Sequence, residues 1–263
     1  KKLRIAIIIL PWMTLPPASY AGTERVVYNL TEGLQKRGHD VTLFSVGDSK
    51  TSAKLVSIFP HPLGLQEHVS AKMKESFYPL MHVAEGFRRQ DEFDIIHSHA
   101  QFLGLPFGSV AKTPSLHTFH RTFTGILKDE EDLVKQFGYL NFTSISDAQR
   151  VPGVNYLATV YNGIDVDKFK PAKKPSRDYL FWGGRLVDKK GVLEAIAVAK
   201  NLNYPLILAG KITEEEFFTT RIKPEIDSKL VKFHNDANQD EMIQYYQHAK
   251  VTLMPAKWNE PFG

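Results

Sequence analysis

Residues 179–191 read YLFWGGRLVDKKG, and this stretch decides the class of fold. The apolar run 179–182 is continuous rather than alternating, which is typical of a strand buried on both faces. A glycine turn follows the strand, and the helical pattern 192–203 follows the turn. This order of strand, turn and helix is the building unit of a parallel sheet that helices cover on both sides.

The same alternation continues along the chain in both directions. The sequence predicts strands at 3–10, 40–45, 93–97, 114–118, 142–145, 157–161, 179–182, 206–209, 231–233 and 251–254. It predicts helices at 23–36, 66–89, 130–137, 192–203, 214–226 and 240–249, and Pro79 can divide the second of them into two shorter helices. The fold class is therefore α/β with parallel sheets.

A change of composition at 168–177 marks a domain boundary. Four lysines, two prolines and a single aromatic residue make this stretch typical of a linker. We expect a first domain at 1–171, a linker at 172–177 and a second domain at 178–263. The alternative is a long surface loop within a single domain.

The composition excludes several classes of protein. Apolar residues make up 43% of the 263 residues and charged residues 24%, which is ordinary globular usage. The absence of Cys excludes disulfide scaffolds, thiol nucleophiles and Cys-ligated metals, and it is compatible with the cytoplasm. The net charge of +4 is spread evenly along the chain, so nucleic acid is not an expected partner. The longest apolar run, 5–12, is too short to span a bilayer.

Ligands of open parallel sheets bind beyond the carboxyl ends of the strands, so the loops there are the candidate sites. After the first strand, Gly22 opens a helix whose N-terminus can face an anion. Equally, Thr23 can be the helix cap, with Glu24 in the first turn. A Gly-x-Gly-x-x-Gly motif is absent from this loop, which argues against NAD or FAD.

Histidines and a serine end the later strands of the first domain. His97 and His99 share a strand face, where buried, hydrogen-bonded histidines are a simpler interpretation than a metal site. His120 follows the next strand, where its near-neutral pKa suits acid–base or hydrogen-bonding work, although a plain surface histidine fits equally well. Ser146 is best interpreted as a helix cap. We expect no metal ligands.

The loop after strand 179–182 has the composition of a diphosphate cradle. Gly184 removes a side chain from the path of a ligand, Arg185 offers a planar fork to phosphate, and Lys190 adds a point charge. The plain alternative is a basic turn. Glu260 follows the last predicted strand, where a solvated loop acid would be the default interpretation.

Together these pieces resemble the retaining glycosyltransferases of family 4, whose GT-B fold has two Rossmann-like domains with parallel sheets that face each other across a cleft. The resemblance covers the whole chain in the correct order. It is carried by the segments Ala21-Gly-Thr-Glu24, Asp94-Ile-Ile-His-Ser-His99, Thr118-Phe-His120, Ser144-Ile-Ser146, Asn162-Gly-Ile-Asp165, Gly184-Arg-Leu186, Lys190-Gly191 and Asn259-Glu-Pro-Phe-Gly263.

The resemblance implies a hexosyltransferase-type enzyme that moves a sugar from a UDP- or GDP-linked donor to a glycan, lipid or small-molecule acceptor, with retention and without a metal or other cofactor. Gly22, Gly184, Arg185, Lys190 and Glu260 would bind the donor. Arg185 and Lys190 would also neutralise the leaving group, while Glu260 would bind sugar hydroxyls and His120 would lie near the sugar. The acceptor side would include Thr23, Glu24, His97, His99 and Ser146.

The sequence departs from the family pattern in two places. Ala21 replaces a glycine, and the chain ends three residues after Glu260, before the second Glu of the family's Glu-x₇-Glu motif. We therefore expect the second domain to be incomplete and the natural chain to continue by roughly 80–120 residues. Without that region, the activity of the 263-residue chain alone is in doubt.

Two alternatives to the transferase and one question about the membrane stay open. The alternatives are a nucleotide-sugar 2-epimerase of the same fold and a donor- or acceptor-binding fragment without turnover. The segment 67–89 mixes basic and apolar residues, which fits an ordinary packed helix better than peripheral contact with the inner face of a membrane.

Overall fold

A computed structural model describes residues 1–18, 21–67, 69–123 and 128–262. The chain divides into two compact units. Unit 1 comprises Lys1–Pro17, Ala21–Gly163 and the described residues 260–262. Unit 2 comprises Ala18 and Ile164–Asn259. The unit boundary thus falls between Gly163 and Ile164.

Unit 1 is built on a parallel sheet of seven strands. The strands are β1 (Arg4–Ile8), β2 (Asp40–Phe44), β3 (Lys54–Val56), β4 (Ile95–Ser98), β5 (Ser115–Thr118), β6 (Asn141–Ser144) and β7 (Tyr156–Thr159). Their order across the sheet is β3-β2-β1-β4-β5-β6-β7. The helices are α1 (Gly22–Lys36), α2 (Tyr78–Arg88), α3 (Leu105–Val110) and α4 (Lys128–Gln136). The order reproduces that of the Rossmann fold, extended by one strand.

The central strand of unit 1 shows why its sequence is continuously apolar. Ile5 and Ile7 pack on one face of the sheet with Val27 of α1. Ile8 packs on the opposite face with Val83 of α2. Because helices cover both faces, every position from 5 to 8 is buried, and no polar alternation can develop.

Unit 2 has the same design at smaller size. Its strands are β8 (Leu180–Gly183), β9 (Leu206–Gly210), β10 (Val231–Asn235) and β11 (Val251–Thr252), in the parallel order β10-β9-β8-β11. Its helices are α5 (Val192–Leu202), α6 (Glu215–Phe217) and α7 (Gln239–His248). Trp182 of β8 packs with Ile196 of α5 and Leu208 of β9 in the core.

Two elements of unit 1 were not predicted from the sequence. Strand β3 has three residues and carries Lys54, so it lacks an apolar run. Helix α3 contains Pro106 and Gly108, which count against a helix in a sequence pattern. Gly108 is nevertheless required there, because a Cβ atom at this position would lie 2.5 Å from His117 Nε2.

Two predicted helices differ from the structure. The helix predicted at 66–89 starts later than expected, and a π-helical turn at Met73–Phe77 leads into α2. Residue 68 of the predicted helix lies outside the described part of the chain. Pro79 stands in the first turn of α2, where its missing N–H costs little. The helix predicted at 214–226 is α6 followed by a π-helical turn at Phe218–Ile222 and a 3-10 turn at Lys223–Glu225.

No helix within the described ranges combines the length and the apolar character that a membrane span requires.

Candidate functional site

The strand order of each unit identifies where a ligand can bind. In unit 1 the strand order reverses between β1 and β4, which are adjacent and parallel although far apart in sequence. In unit 2 the corresponding point lies between β8 and β11. The loops that leave the carboxyl ends of these four strands therefore form the two candidate half-sites.

The first half-site includes the N-terminus of α1. The helix begins at Gly22, and the extended residue Ala21 before it provides no side-chain cap. The interpretation of Thr23 as the cap is therefore wrong, because Thr23 lies inside the first turn. Among the described residues, no atom lies within 4 Å of the position that a Cβ atom on Gly22 would occupy.

Glu24 lies in the same first turn and is partly buried. Burial raises the pKa of its carboxyl group, because a charged carboxylate loses hydration there, and a hydrogen bond to its own backbone N–H opposes this shift. Its place in the first turn of α1 is one where the helix dipole favours a carboxylate, which also opposes the effect of burial.

The structure brings three of the predicted histidines together at the ends of β4 and β5. The rings of His97 and His99 are 4.2 Å apart between centroids, as their spacing along one strand face predicts. His97 Nε2 lies 2.8 Å from Thr118 Oγ1. His99 Nδ1 lies 2.9 Å from His120 Nε2, which joins the two strand ends.

Burial keeps these imidazoles neutral. It lowers the pKa of His120 to about 4 and, together with the nearby His120 and His117, that of His97 to about 3. The pKa of His99 is also lowered, first by burial and then by the neighbouring histidines. The expectation of a near-neutral pKa for His120 is therefore wrong, and the ring acts as a neutral hydrogen-bonding group.

Gln149 positions the loop that carries His120, a role that no local sequence pattern indicates. Its amide Nε2 donates to the carbonyl oxygens of Phe119 and Arg121, at 2.9 Å and 2.7 Å, on either side of His120. Its Oε1 accepts from the backbone N–H of Ile145 at 2.9 Å. The Gln149 side chain is buried and uses both donors and its acceptor, so it fixes the loop firmly.

Ser146 does not cap a helix as expected. It precedes the 3-10 turn Asp147–Gln149, but its side chain makes no capping hydrogen bond. Its Oγ is buried and unpaired within the described part of the chain, as are His99 Nε2 and His120 Nδ1. Unpaired buried polar atoms are costly, and three of them beyond the ends of adjacent strands are a candidate for a polar ligand.

The second half-site begins directly after β8. The backbone N–H of Gly184 donates to Ala209 O at 3.0 Å, and that of Leu186 donates to Lys211 O at 3.0 Å. These bonds fix the backbone on both sides of Arg185. The Arg185 side chain is half-buried, and within the described residues its guanidinium makes no hydrogen bond or ion pair.

The fold of this loop requires a glycine at position 191. A Cβ atom on Gly184 would make only ordinary contact, 3.5 Å from Trp182. Gly191 has a φ of +73°, and a Cβ atom there would lie 1.9 Å from Pro255 O. Lys190, the residue before it, is held through its carbonyl, which accepts from Trp182 Nε1 at 3.2 Å. Close backbone packing thus positions the lysine.

Lys257 joins the β11 loop to the β8 loop. Its Nζ lies 2.9 Å from Asp188 Oδ1 and 2.7 Å from Glu194 Oε1, and hydrogen bonds to these carboxylates raise the pKa of its ammonium group. Its backbone N–H donates to Lys189 O at 2.9 Å. Sequence reasoning missed this residue, because its partners lie more than 60 positions away.

Glu260 is placed in unit 1, unlike Gly184, Arg185 and Lys190, which belong to unit 2. Beside it, Phe262 contacts Tyr161 of unit 1 with 6.2 Å between ring centroids. Residue 263, the last of the predicted motif, lies outside the described part of the chain. Among the described residues, no group of three or more His, Asp or Glu side chains could hold a metal ion.

Several solved structures share this fold. AviGT4, a glycosyltransferase involved in avilamycin A biosynthesis, is 23% identical with a TM-score of 0.69, over 99% of this chain and 74% of its own. Sucrose-phosphate synthase from Thermosynechococcus elongatus is 17% identical with a TM-score of 0.75, and the match covers 100% of this chain and 77% of the synthase chain. Anabaena Alr3699/HepE, solved with UDP and glucose, is 15% identical with a TM-score of 0.69, and the match covers 99% of this chain and 76% of the HepE chain.

Sequence comparison adds a relative and two family models. The uncharacterized glycosyltransferase MJ1607 of Methanocaldococcus jannaschii is 22% identical, over 98% of this chain and 76% of its own length. The model for glycosyl transferases group 1 matches residues 163–263. The model for Glycosyltransferase Family 4 matches residues 20–168, more than half of the chain. The expected GT-B type of fold and hexosyltransferase-type enzyme are thus confirmed, and the chain belongs to glycosyltransferase family 4.

Proposed function

We propose that this glycosyltransferase takes its sugar from a nucleoside diphosphate sugar, whose diphosphate binds to Arg185 and Lys190. The observation that carries the proposal is the half-buried guanidinium of Arg185, which has no partner within the described residues. A cation held out of bulk water without a carboxylate is suited to an anionic ligand. Lys190, five residues further along the same loop, adds a second positive charge.

The two cations also explain how the reaction would be accelerated. As the bond between the sugar and the diphosphate breaks, negative charge grows on the leaving phosphate oxygens. Preorganised positive groups at that point stabilise the transition state more than the ground state, which is usually the largest catalytic contribution. We propose that these side chains perform this work without a metal, so that excess EDTA leaves the rate unchanged. A tenfold loss with EDTA would contradict this part of the proposal.

We further propose that the transfer retains the anomeric configuration, as the family resemblance implies. Attack on the same face as the departing diphosphate requires a phosphate oxygen to take the proton of the acceptor. The neutral state of His120 supports this route, because a histidine whose pKa is lowered to about 4 is a weak base. NMR of the product's anomeric proton tests it, since inversion of the configuration would contradict it.

Incubation with a panel of UDP- and GDP-sugars tests the activity itself. Transfer to an acceptor or slow hydrolysis of the donor supports the proposal. Epimerisation at C2 would instead show a nucleotide-sugar 2-epimerase, and binding without turnover would show a binding fragment. Thermal shift across the same panel identifies the donor base and sugar, because a ligand that binds only the folded state raises the melting temperature.

The acceptor side of the proposal is the first half-site in unit 1. Gly22, whose Cβ position is clear of the described residues, and the buried Ser146 and His120 atoms that have no partner among those residues would contact the sugar or the acceptor. The acceptor class is proposed as a carbohydrate or a lipid-linked carbohydrate. Both offer hydroxyl groups to these polar atoms, and an acceptor panel with free and lipid-linked sugars separates them.

The location of the enzyme is proposed as cytoplasmic, consistent with a Cys-free chain, and cell fractionation tests it. Helix α2 buries Val83 and Phe87, as an ordinary packed helix does, while Leu80 and Met81 of the same helix and Phe77 just before it are exposed. The ordinary helix is the simpler interpretation, and peripheral membrane contact is the alternative. Salt-sensitive co-sedimentation with anionic liposomes would establish membrane contact, and no co-sedimentation would dismiss it.

A further inference from the structure

The paired imidazoles of His99 and His120 form a unit with a definite chemical consequence. His99 Nδ1 lies 2.9 Å from His120 Nε2, and the two rings are stacked at 25° with centroids 5.2 Å apart. The outer nitrogens of the pair, His99 Nε2 and His120 Nδ1, are buried and unpaired within the described part of the chain. Each ring therefore has one nitrogen in the pair and one that is open to a partner.

The two outer nitrogens must differ in kind. Burial lowers the pKa of both histidines, so each ring is neutral and carries a single N–H. The hydrogen bond inside the pair uses one N–H and one bare nitrogen. If His99 donates, the outer hydrogen lies on His120 Nδ1, and if His120 donates, it lies on His99 Nε2. In either arrangement one outer nitrogen is a donor and the other is an acceptor.

Access for a ligand decides between the two arrangements. Both outer nitrogens are buried, but His99 as a residue is only 2% exposed, whereas His120 is partly exposed at the strand end. A ligand can therefore reach the His120 ring, while His99 Nε2 stays without a partner. A buried N–H without a partner is rarer in folded proteins than a buried acceptor that lacks one, so His99 Nε2 is the bare nitrogen. It follows that His99 Nδ1–H donates to His120 Nε2, and that His120 carries its hydrogen on Nδ1.

We propose that His99 is a positioning residue that holds His120 in the Nδ1–H form, so that His120 presents a hydrogen-bond donor to an oxygen atom of the bound substrate. The proposal rests on the proposed function, which supplies that oxygen as a sugar hydroxyl or a phosphate oxygen. The Gln149 side chain supports it, because it fixes the backbone on both sides of His120. His120 thus acts as a hydrogen-bond donor and not as a general base.

The tautomers can be observed directly by NMR of the full chain labelled with ¹⁵N-histidine. In the wild type we expect His120 to be protonated at Nδ1 and bare at Nε2. H99N places an amide near the position of Nδ1 and should preserve this pattern, since the amide can donate. H99D offers only an acceptor when ionised and should move the hydrogen of His120 to Nε2. A wild-type His120 protonated at Nε2 would overturn the proposal.

Kinetics provide the second readout, and H99F covers the case in which H99D does not fold. H99F removes the donor and should lower kcat by up to about a hundredfold with little change in KM, because the reacting groups lose their alignment. H99N should stay within about threefold of the wild type. Equal kcat values for H99F and the wild type would overturn the positioning role.

The NMR and kinetic experiments distinguish a failure of the positioning role of His99 from a failure of the proposed function. If the wild type turns over no nucleotide-sugar, the proposed function fails, and the NMR tautomers still decide whether His99 controls His120. If the wild type is active and H99D leaves the tautomer of His120 unchanged in a folded protein, this inference fails and the proposed function stands.

Discussion

The substitution G191A should destabilise unit 2, because two separate effects oppose a Cβ atom at this position. The φ of +73° is a left-handed conformation that costs an L-residue roughly 1–2 kcal/mol. The Cβ atom would also lie 1.9 Å from Pro255 O and 2.6 Å from Pro255 C, which are backbone atoms that no rotamer change can move aside. Relief of such overpacking costs roughly 1–3 kcal/mol more. The expected loss is therefore about 2–5 kcal/mol.

The matched control is G153A in unit 1. Gly153 has a similar φ of +84°, but a Cβ atom there would meet no described atom within 4 Å. G153A should therefore cost only the backbone contribution, about 1–2 kcal/mol. Urea unfolding monitored by tryptophan fluorescence measures unit 2 through buried Trp182 once Trp12 of unit 1 is replaced by Phe, and circular dichroism follows both units. If G191A unfolds at the urea concentration of the wild type, the packing of the β8 loop against Pro255 is refuted.

Three further predictions concern the two half-sites. Q149M leaves two carbonyls and one N–H unpaired and should destabilise unit 1 by about 2–4 kcal/mol in urea unfolding; an unchanged midpoint would contradict the role of Gln149. The pKa of His117 and of His120 falls from 6.5 to about 4 on folding. Their contribution to the free energy of unfolding should therefore be constant above pH 6.5, and between pH 6.5 and 4 each histidine should lower that free energy by up to about 1.4 kcal/mol for each pH unit of acidification. A free energy of unfolding that does not change with pH in this range would contradict the burial of these histidines. K257M should raise the KM for the donor severalfold, because Lys257 links the β11 loop to the β8 loop. K250M, a matched change elsewhere in unit 2, should not raise it. The same KM in K257M and in the wild type would contradict the link between the loops.

The sequence was sufficient for the central strands, such as β1 and β8, because helices cover both faces of the parallel sheets there. Runs such as 5–8 and 180–182 are buried throughout, so their composition alone distinguishes them from surface segments. The short edge strand β3 has no such run. Helix α3 was hidden by Gly108 within it and Gly104 just before it, which are small because this segment packs closely on Ser98 and His117. Tertiary packing of this kind leaves no periodic pattern in a sequence.

The candidate site was predictable in its location but not in its internal contacts. Parallel strands place their following loops at one edge, which is enough to select His97, His99, His120 and Arg185. The hydrogen bonds of Gln149 join segments 28 and 30 residues apart, and the ion pair of Lys257 with Asp188 spans 69 residues. Nothing local to these residues indicates their partners. The low pKa of His120 has the same origin, because it depends on burial by distant residues.

The central claim is that Arg185 and Lys190 bind and stabilise the diphosphate of a sugar donor. The measurement that tests it most directly is kcat/KM for the preferred donor in R185A and K190A, with K250M as the control for the loss of a cation. We expect each of the two variants to lose about 2–4 kcal/mol of transition-state stabilisation, roughly 30- to 1000-fold in kcat/KM, while K250M keeps the wild-type value. Near-wild-type kcat/KM in either R185A or K190A would contradict the claim.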